Sequence, residues 1–377
     1  MTIVRHDPPS PQPVPRARSA GELSAPRDII ESSIEIRVTD GANRLSRQCG
    51  GTAIPATAHP DHDPRWLRIL AEGLGHEPFL LEAVVGGRVA AQLRLAHVHS
   101  LLFGRFLVSL PYLNSAGVQA DDPRAAHALI DRAVELTDEL NCRFLELRHE
   151  SPWEHPALSG QMTSKVHMRL DLPETAEELW QGLKAGVRNQ VRKGQRQDFG
   201  IHWGAMERLE DFYAVFSRNM RDLGTPVYGR SLFAAILRAF GERGELCCVY
   251  DGGRCIAAAL LIHGAEATAV PSASSLRAYH STNANMLMYW HLLERAVERG
   301  QKTFDFGRAT RDSNLFRFKN QWRARAEPAA WQYYARRGTI DAMRPDNARN
   351  RRLTRIWRRL PLALTRLIGP TIIRGVP

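Results

Sequence analysis

Two stretches near residue 310 combine aromatic residues with charged ones in a way that could support group transfer. They are residues 304–308 (FDFGR) and 316–319 (FRFK). A carboxylate at a strand end, such as Asp305, could deprotonate or orient an amine. The flexible ammonium of Lys319 could hold a phosphate or the oxygen of a reacting carbonyl group. The pattern predicts catalytic roles for both. The alternatives are that Asp305 is a buried partner of Arg308 and that Lys319 is an ordinary surface lysine.

A predicted helix over residues 174–193 carries a stripe of basic residues. Apolar residues recur every four positions from 183 to 191, which gives the helix one buried face. Lys184, Arg188 and Arg192 follow the same spacing, and no acidic residue stands four positions beyond any of them. Gly194 can end the helix. The stripe predicts a phosphate-binding surface, although a solvated helix face gives the same pattern.

Several common site types have no counterpart in the sequence. No Ser-His-Asp arrangement, P-loop or nucleotide-binding GxGxxG is evident. The five cysteines form no CxxC pair and no spacing typical of zinc, which indicates a reducing compartment without disulfides. One loop holds two histidines and two aspartates, namely His59, Asp61, His62 and Asp63. A metal could bind there, but we expect solvated loop residues because no second cluster supports the site.

The elements that position these residues occur twice along the chain. A hairpin, a strand, a helix and a further strand are predicted over residues 79–148 and again over 246–306. Residues 86–91 (GGRVAA) parallel 252–257 (GGRCIA), and 131–135 (DRAVE) parallel 294–298 (ERAVE). Phe144 and Arg148 likewise match Phe304 and Arg308. The common order predicts a duplication, and the helix between two strands predicts an α/β mixed sheet with a parallel pair.

Taken together, these segments resemble FemAB-related proteins with a GNAT-like acyltransferase domain, notably the group associated with XrtA/PEP-CTERM exosortase systems. The resemblance covers roughly residues 33 to 337. It is carried by residues 111–115 (PYLNS), 184–194, 225–229 (TPVYG), 270–275 (VPSASS), 283–290 (NANMLMYW), 304–308 and 316–322 (FRFKNQW). In that group the residues after Asn114 more often read Tyr-Gly-Gly. Here residues 115–117 are Ser-Ala-Gly, so the pocket of the first half departs from the pattern.

This resemblance implies a fold and a set of site residues. We expect an α/β fold of two tandem GNAT-like halves, residues 29–170 and 171–337, with a cleft facing the second half. Lys319 matches the position at which Fem ligases carry a functional lysine, and Asp305 is its expected catalytic partner. The implied substrate-binding residues are Arg308, Arg317, Tyr228, Asn285, Tyr289, Ser272, Lys184, Arg188, Asn189 and Lys193. For Tyr289, a core position is the main alternative.

The resemblance also implies a reaction. An acyl or aminoacyl group would pass to an amine of an envelope, peptidoglycan-type or exopolysaccharide precursor by direct attack, without a metal or a tightly bound cofactor. The donor would be aminoacyl-tRNA or acyl-CoA, and the missing Gly-rich pyrophosphate loop argues against acyl-CoA. The alternative is a non-catalytic duplicated module that binds RNA or an anionic glycan. A formal net charge of +11 agrees with either reading.

The two ends of the 377-residue chain differ in character from its middle. Residues 1–28 are rich in Pro, Ser and Arg and lack the apolar run of a secretory signal, so we expect a disordered arm. Residues 338–377 form an arginine-rich amphipathic tail interrupted by Pro361. This tail predicts contact with an anionic membrane surface, and the alternative is a helix docked on the body. No apolar run is long enough to span a membrane. We therefore expect a cytoplasmic protein, peripheral at the inner face of the membrane. It would be a monomer or small homo-oligomer without a DNA partner.

Overall fold

The computed structural model describes residues 33–41, 56–336 and 348–376. The predicted arm, residues 1–28, and the predicted junction at residues 337/338 lie outside these ranges. The described elements from Ile34 onward belong to one compact unit. Within the described ranges no helix is both long enough and apolar enough to cross a membrane.

The described residues form strands and helices in the following order along the chain. The strands are β1 (Ile34–Asp40), β2 (Glu77–Val85), β3 (Arg88–Ser100), β4 (Gly104–Val108), β5 (Gln119–Ala120), β6 (Phe144–His149), β7 (Gly160–Met162), β8 (Lys165–Asp171), β9 (Phe199–Gly204), β10 (Gly244–Asp251), β11 (Arg254–His263), β12 (Ala267–Ser275), β13 (Thr303–Thr310), β14 (Arg325–Pro328) and β15 (Ala330–Ala335). The helices are α1 (Arg65–Leu74), α2 (Pro123–Glu139), α3 (Ala176–Gly182), α4 (Ala185–Gln195), α5 (Leu209–Leu223), α6 (Arg230–Phe240), α7 (Ala284–Glu298), α8 (Asn314–Gln321), α9 (Ala348–Trp357) and α10 (Leu362–Ile373).

Two mixed sheets contain all of these strands. The first has the order β1-β2-β3-β4-β6-β15-β7, with β5 paired to β3, and the second has the order β14-β8-β13-β12-β11-β10-β9. The hairpin predicted at Gly86 and Gly87 joins β2 to β3. Both glycines have positive φ, 56° and 80°, as a two-residue hairpin turn requires. The predicted hairpin between β10 and β11 forms as well, with Gly252 at φ 56°.

Each sheet contains the predicted parallel pair. In the first sheet β4 runs parallel to β6, and in the second β12 runs parallel to β13. The second pair is joined only from Ala267 opposite Thr303 to Ala269 opposite Asp305. Beyond that point β12 continues to Ser275 and β13 continues to Thr310, but the two strands no longer pair with each other. The sheet therefore opens between them, while each strand still pairs with its other neighbour. The register of β13 against β8 also shifts between Asp305 and Arg308, where Gly307 has φ 73°.

The two sheets exchange one strand each. Strand β8 lies before the boundary predicted at residues 170/171 except for its last residue, yet it pairs with β13 and β14 of the second sheet. Conversely, β15 follows the second sheet in sequence and pairs with β6 and β7 of the first. Residues near 150–170 and 325–335 therefore connect the sheets, and the division into residues 29–170 and 171–337 stays a prediction.

The helix predicted over residues 174–193 is in fact two helices. The backbone of Leu183 and Lys184 is extended, with ψ of 149° and 142°, which ends α3 and starts α4. The Arg188 side chain stabilises this break, because its Nη1 donates to the carbonyl oxygens of Gln181 and Leu183. Gly194 does not end the helix either. It lies inside α4, which continues to Gln195.

The arginine-rich tail is docked on the body through one face of α10. Arg366 Nε donates to Ser217 Oγ of α5 at 2.8 Å, and its guanidinium lies over the Tyr213 ring. Gly369 packs directly on the backbone of Val227. The opposite face of α10 is exposed, with Leu367 75% accessible. The docked-helix alternative is thus correct for one face, and membrane contact by the other face stays a prediction.

Two glycines of α4 allow the packing of this helix to be tested. A Cβ atom on Gly194 would stand 2.9 Å from Leu287 Cβ and 3.0 Å from the Asn283 carbonyl oxygen, whereas one on Gly186 would meet nothing within 4 Å. We expect Gly194→Ala to lower the free energy of unfolding by ~1–3 kcal/mol, because α4 must move away from α7. Gly186→Ala should leave it unchanged or raise it by up to ~1 kcal/mol. Chemical denaturation measures both, and equal stabilities would contradict close packing of α4 on α7.

Candidate functional site

Asp305 is the buried centre of a polar cluster where β12 and β13 separate. Its neighbours Phe304 and Phe306 belong to the core beneath α7. Residues alternate across a strand, so Asp305 faces the opposite side of the second sheet. Its Oδ2 lies 3.0 Å from His59 Nε2 and 3.3 Å from Arg169 Nε, and its Oδ1 accepts the Gly307 N–H at 2.6 Å. Arg308 is not its partner, which corrects the structural alternative drawn from the sequence.

The electrostatic surroundings keep the Asp305 carboxyl group ionised. Burial favours the neutral acid, but the hydrogen bond and charge of His59 and the charge of Arg169 hold the pKa of Asp305 well below its ordinary value. Arg169 is shared among acids, since it also pairs with Glu327 at 2.9 Å and with Glu150. The cluster is therefore a network of alternating charges rather than an isolated buried ion.

His59 reaches Asp305 from the loop before α1. The sequence predicted that this loop is solvated. That expectation is wrong for its aspartates, because Asp61 is 7% exposed and Asp63 is fully buried. The backbone N–H of Asp61 donates to His59 Nδ1 at 3.2 Å. In the neutral ring the proton therefore lies on Nε2, and Nε2 donates to Asp305 in either protonation state of His59. Burial opposes protonation of His59, but the hydrogen bond to Asp305 and the charge of Asp61 raise its pKa overall.

Lys319 extends from α8 into the same cluster. The side chain is 4% exposed, and its Nζ donates to the carbonyl oxygen of Arg308 at 2.8 Å. A surface position is therefore excluded. Burial lowers the pKa of Lys319 to about 8, although the charge of Asp305 acts in the opposite direction. At neutral pH the lysine is charged, but it gives up its proton far more readily than an exposed lysine.

Arg308 points into the opening between the strands instead of toward Asp305. Its guanidinium carbon lies 4.6 Å from the centre of the Trp331 ring, and that of Arg148 lies 4.3 Å from the same ring. Trp331 is held in place by its Nε1, which donates to the Asn114 carbonyl oxygen at 3.1 Å. The two arginines that match in the duplicated sequence thus meet at one tryptophan of β15.

Two tyrosines and a serine continue the wall of the opening. Tyr112 has φ 82°, which is a strained backbone conformation for an aromatic residue. This conformation places its hydroxyl 3.1 Å from Ser272 Oγ and its ring edge-on to Tyr228, with centroids 5.2 Å apart. Burial raises the pKa of Tyr228, and the charges of Arg148 and Arg308 act in the opposite direction.

The structure brings together five of the predicted site residues. They are Lys319, Asp305, Arg308, Tyr228 and Ser272. Four others lie on α4 or at its N-cap, and α4 packs on α7 across the second sheet from Asp305; they are Lys184, the N-cap, and Arg188, Asn189 and Lys193. Asn285 is half-buried in the first turn of α7.

Two further predicted residues lie apart from the cluster. Tyr289 is 7% exposed and packs among Phe306, Phe318 and Trp322, so it belongs to the core. Arg317 is exposed, and it donates to the carbonyl oxygen of Asp312. On a helix, residues two positions apart point in different directions, so Arg317 and Lys319 cannot share this site.

Sequence reasoning missed four contributors to the site. His59 and Tyr112 lie in loops of the first half, and Arg169 and Trp331 lie on the two exchanged strands. For Tyr112 a signal was present, because the resemblance included residues 111–115. The match of Arg148 with Arg308 was also visible, but nothing in the sequence indicated that both would contact Trp331.

The site contains a buried cation, Lys319, beside the ionised carboxylate of Asp305. A second, solvent-accessible cation, Arg308, belongs to the same cluster. Lys319 is placed to donate to a developing oxyanion, and Asp305 is placed to hold that lysine charged or to orient an incoming ammonium group. Asp305 is poorly suited as a general base, because its pKa is far below neutrality. No group of three or more His, Cys, Asp or Glu side chains suited to a metal occurs in the part of the chain described here.

Comparison with known proteins supports this assignment of the fold. Residues 182–320 match a family described as an acetyltransferase (GNAT) domain, and the matched range includes Asp305, Arg308 and Lys319. A search of curated protein sequences gave no match.

Three solved structures share the architecture at low sequence identity. The crystal structure of FemX is 15% identical over 78% of this chain and 93% of its own, with a TM-score of 0.54. A conserved protein of unknown function from Bacteroides thetaiotaomicron VPI-5482 is 10% identical over 80% and 100%, with a TM-score of 0.51. L-PGS from Bacillus licheniformis is 12% identical over 87% and 96%, with a TM-score of 0.50. The predicted α/β fold with two GNAT-like halves is confirmed, and the domain match supports an acyltransferase.

Substitution of Asp305 tests the buried network. We expect Asp305→Asn to lower the free energy of unfolding by about 3–5 kcal/mol at pH 7, because His59 and Arg169 lose a buried counter-charge. The pKa of Asp305 is lowered on folding, so its contribution exists above the unfolded pKa of about 3.9 and disappears as the pH falls. The difference in the free energy of unfolding between wild type and variant should be constant above about pH 5, and it should become smaller below about pH 4.

Denaturation at several pH values measures this gap, with Asp171→Asn as the matched control. Asp171 pairs with Arg325 on the exposed surface of the neighbouring strand. Its loss should change stability little, because exposed pairs are screened by solvent. A gap for Asp305→Asn that did not change between pH 6 and pH 3 would contradict the ionised state of Asp305.

Proposed function

We propose that this protein is an acyl or aminoacyl transferase that forms an amide bond by direct, metal-independent attack of an amine on an activated acyl group. The observation that carries the proposal is the buried Lys319 beside ionised Asp305, at the point where β12 and β13 separate. Such a site supplies charge without a nucleophilic side chain. Amide formation from an activated donor needs little more than this charge and correct orientation.

In the proposed step the amine nitrogen attacks the acyl carbon, and the carbonyl oxygen becomes an oxyanion. Lys319 donates a hydrogen bond to that oxyanion, in place of the bond it makes to the Arg308 carbonyl. Collapse of the intermediate breaks the bond to the donor, which is a ribose oxygen in aminoacyl-tRNA or a sulfur in acyl-CoA. The nitrogen loses a proton, and the leaving group gains one. Atoms and charge therefore balance without any further reactant.

Asp305 has an orienting role in this proposal. A carboxylate with a strongly lowered pKa removes protons poorly, but it holds a neighbouring ammonium firmly. His59 and Arg169 already occupy most of its acceptor positions, which fixes the carboxylate relative to Lys319. In the proposed mechanism the negative charge of Asp305 orients the incoming amine and keeps Lys319 protonated.

The donor and acceptor are also part of the proposal. We favour aminoacyl-tRNA over acyl-CoA because the sequence lacks a Gly-rich pyrophosphate loop, and the exposed basic residues of α4 would suit the phosphates of either donor. The resemblance to the PEP-CTERM/exosortase-associated group points to an acceptor amine on an envelope or exopolysaccharide precursor. Both assignments place the reaction in the cytoplasm.

We further propose that the enzyme works at the inner face of the cytoplasmic membrane. The loop between β3 and β4 exposes Leu101 by 97% and Leu102 by 73%, with Phe103 beside them. The end of the tail touches this loop, since a Cβ atom on Gly375 would overlap the Ser100 side chain. Residues 347–377 contain eight arginines and no acidic residue. An apolar tip beside a cationic tail suits an anionic lipid surface.

Replacement of Lys319 tests the mechanism. The full chain is incubated with labelled aminoacyl-tRNA or labelled acyl-CoA and a panel of amines, and label in the amide product is measured. We expect transfer from one donor, and a loss of about 100- to 1000-fold in Lys319→Met, because the variant keeps the buried aliphatic length but removes the charge. The rate in wild type should fall as the pH rises through about 8, where Lys319 loses its proton.

Lys302→Met is the matched control, because Lys302 is exposed and pairs with Glu266 at the surface. It should retain full transfer. Circular dichroism establishes that both variants are folded. Full activity of Lys319→Met would remove the lysine from the mechanism. Absence of transfer by wild type from either donor, together with salt-dependent binding to unrelated RNAs, would favour the non-catalytic module instead.

The apolar loop gives a separate test of membrane contact. We expect the double variant Leu101→Ser/Leu102→Ser to bind vesicles of 30% phosphatidylglycerol in phosphatidylcholine about tenfold more weakly than wild type, because both side chains lose burial in lipid. Co-sedimentation measures the bound fraction. Val89→Ser is the control, since Val89 is a 49% exposed apolar residue at the far end of β3. Equal sedimentation of all three proteins would refute the proposal.

A further inference from the structure

We infer that Arg308, seated on Trp331, is the binding site for a singly charged oxyanion of a substrate, either a carboxylate or a phosphodiester. The inference deepens the proposed function, because it names a chemical group that one of the two substrates must carry. The observations behind it are independent of the transfer reaction. These observations compare two neighbouring arginines, Arg148 and Arg308, and show that Arg148 already has a paired carboxylate.

The guanidinium of Arg148 is already paired with groups of the protein. It is 2% exposed, its Nε donates to Glu146 Oε1 at 2.7 Å, and its Nη1 donates to the Leu113 carbonyl oxygen at 2.5 Å. Arg148 also stands directly opposite Trp331 in the pairing of β6 with β15. It therefore acts as a structural support for the tryptophan ring, with its charge balanced by Glu146.

Arg308 differs from Arg148 in its partners. Within the described ranges its guanidinium makes no ion pair and no hydrogen bond, and its contact is the stacking on Trp331 at 4.6 Å. The side chain is solvent-accessible, yet protein surrounds it closely enough that burial and the charge of Arg148 lower the pKa of Arg308 to about 10. An accessible cation without a carboxylate, held rigidly on an aromatic ring, is well suited to accept an anion.

The charge balance sets the valence of that anion. Glu146 is hydrogen-bonded to Arg148 and acts on Arg308 only through space, so the Arg308 guanidinium has no directly bonded counter-ion among the described residues. A single negative charge would balance it, whereas a phosphate monoester dianion would remain partly unpaired in a site of low dielectric. A carboxylate and a phosphodiester both present two oxygens to a guanidinium fork.

Hydroxyl groups around the opening add neutral donors. Burial raises the pKa of Tyr228, which stays protonated at neutral pH even though Arg148 and Arg308 act against this shift. Tyr112 and Ser272 are hydrogen-bonded to each other nearby. Neutral hydroxyls strengthen the binding of an anion without adding charge, so they agree with a monoanion.

Binding of small anions tests the site directly. The full chain is titrated calorimetrically with acetate, dimethyl phosphate and inorganic phosphate at matched ionic strength. We expect saturable binding of acetate or of dimethyl phosphate that is at least fivefold tighter than that of inorganic phosphate. Preference for acetate assigns a carboxylate, and preference for dimethyl phosphate assigns a phosphodiester such as that of an RNA backbone.

Substitutions locate the binding. Arg308→Gln should abolish it, and Arg308→Lys should weaken it, because lysine keeps the charge but lacks the guanidinium fork. Arg311→Gln is the matched control, since Arg311 is an exposed arginine that follows the same strand, and it should bind as wild type does. Binding unchanged in Arg308→Gln, or no saturable binding in wild type, would overturn the inference. Anion binding by a chain that transfers no acyl group would contradict the proposed function alone.

Discussion

The ionised carboxylate of Asp305 is the constraint on which the rest of this structure depends. A buried charge is tolerated only when fixed partners surround it, and here each partner comes from a different part of the chain. His59 precedes α1, Arg169 lies on exchanged strand β8, and Lys319 extends from α8. The hydrogen bonds to this carboxylate therefore require the first-half loop and the strand exchange to be in place together, and its charge acts in turn on Lys319 of α8. This explains why the described residues from Ile34 onward form one compact unit although the sequence contains two similar segments.

The backbone near Asp305 provides the space in which chemistry could occur. Parallel pairing between β12 and β13 stops at Asp305, and Gly307 adopts a positive φ at the following irregularity. A Cβ atom at Gly307 would stand 3.2 Å from Asn114 Nδ2, so glycine also permits close approach of the first-half loop. The strained backbone of Tyr112 stands next to this separation, because its hydroxyl is hydrogen-bonded to Ser272 of β12. Strain of this kind persists where the surrounding structure enforces it.

Local signals in the sequence were sufficient for most of the fold. The glycine pairs predicted the two hairpins, and the repeated order of elements predicted one helix and one parallel pair in each half. The helices Leu209–Leu223, Arg230–Phe240 and Asn314–Gln321 were not predicted. The break at Lys184 was missed because it depends on Arg188 capping the carbonyl oxygens of Gln181 and Leu183, which competes with helix continuation. The site was predictable only in its second half. His59 and Trp331 reach it through tertiary contacts and exchanged strands, which no local pattern encodes.

The duplication explains why the two halves contribute unequally. With Phe144 matched to Phe304, the first-half counterparts of Asp305 and Gly307 are Leu145 and Leu147, both fully buried apolar residues. The first half therefore has no carboxylate and no flexible glycine at the positions that build the cluster in the second. Within the matched strands β6 and β13 the two halves share the arginine, and in the first half Glu146 pairs with it. Arg148 therefore supports Trp331, whereas the Arg308 guanidinium has no hydrogen-bonded partner among the described residues. Matching positions of the two halves thus serve packing in one and leave a guanidinium available for a ligand in the other.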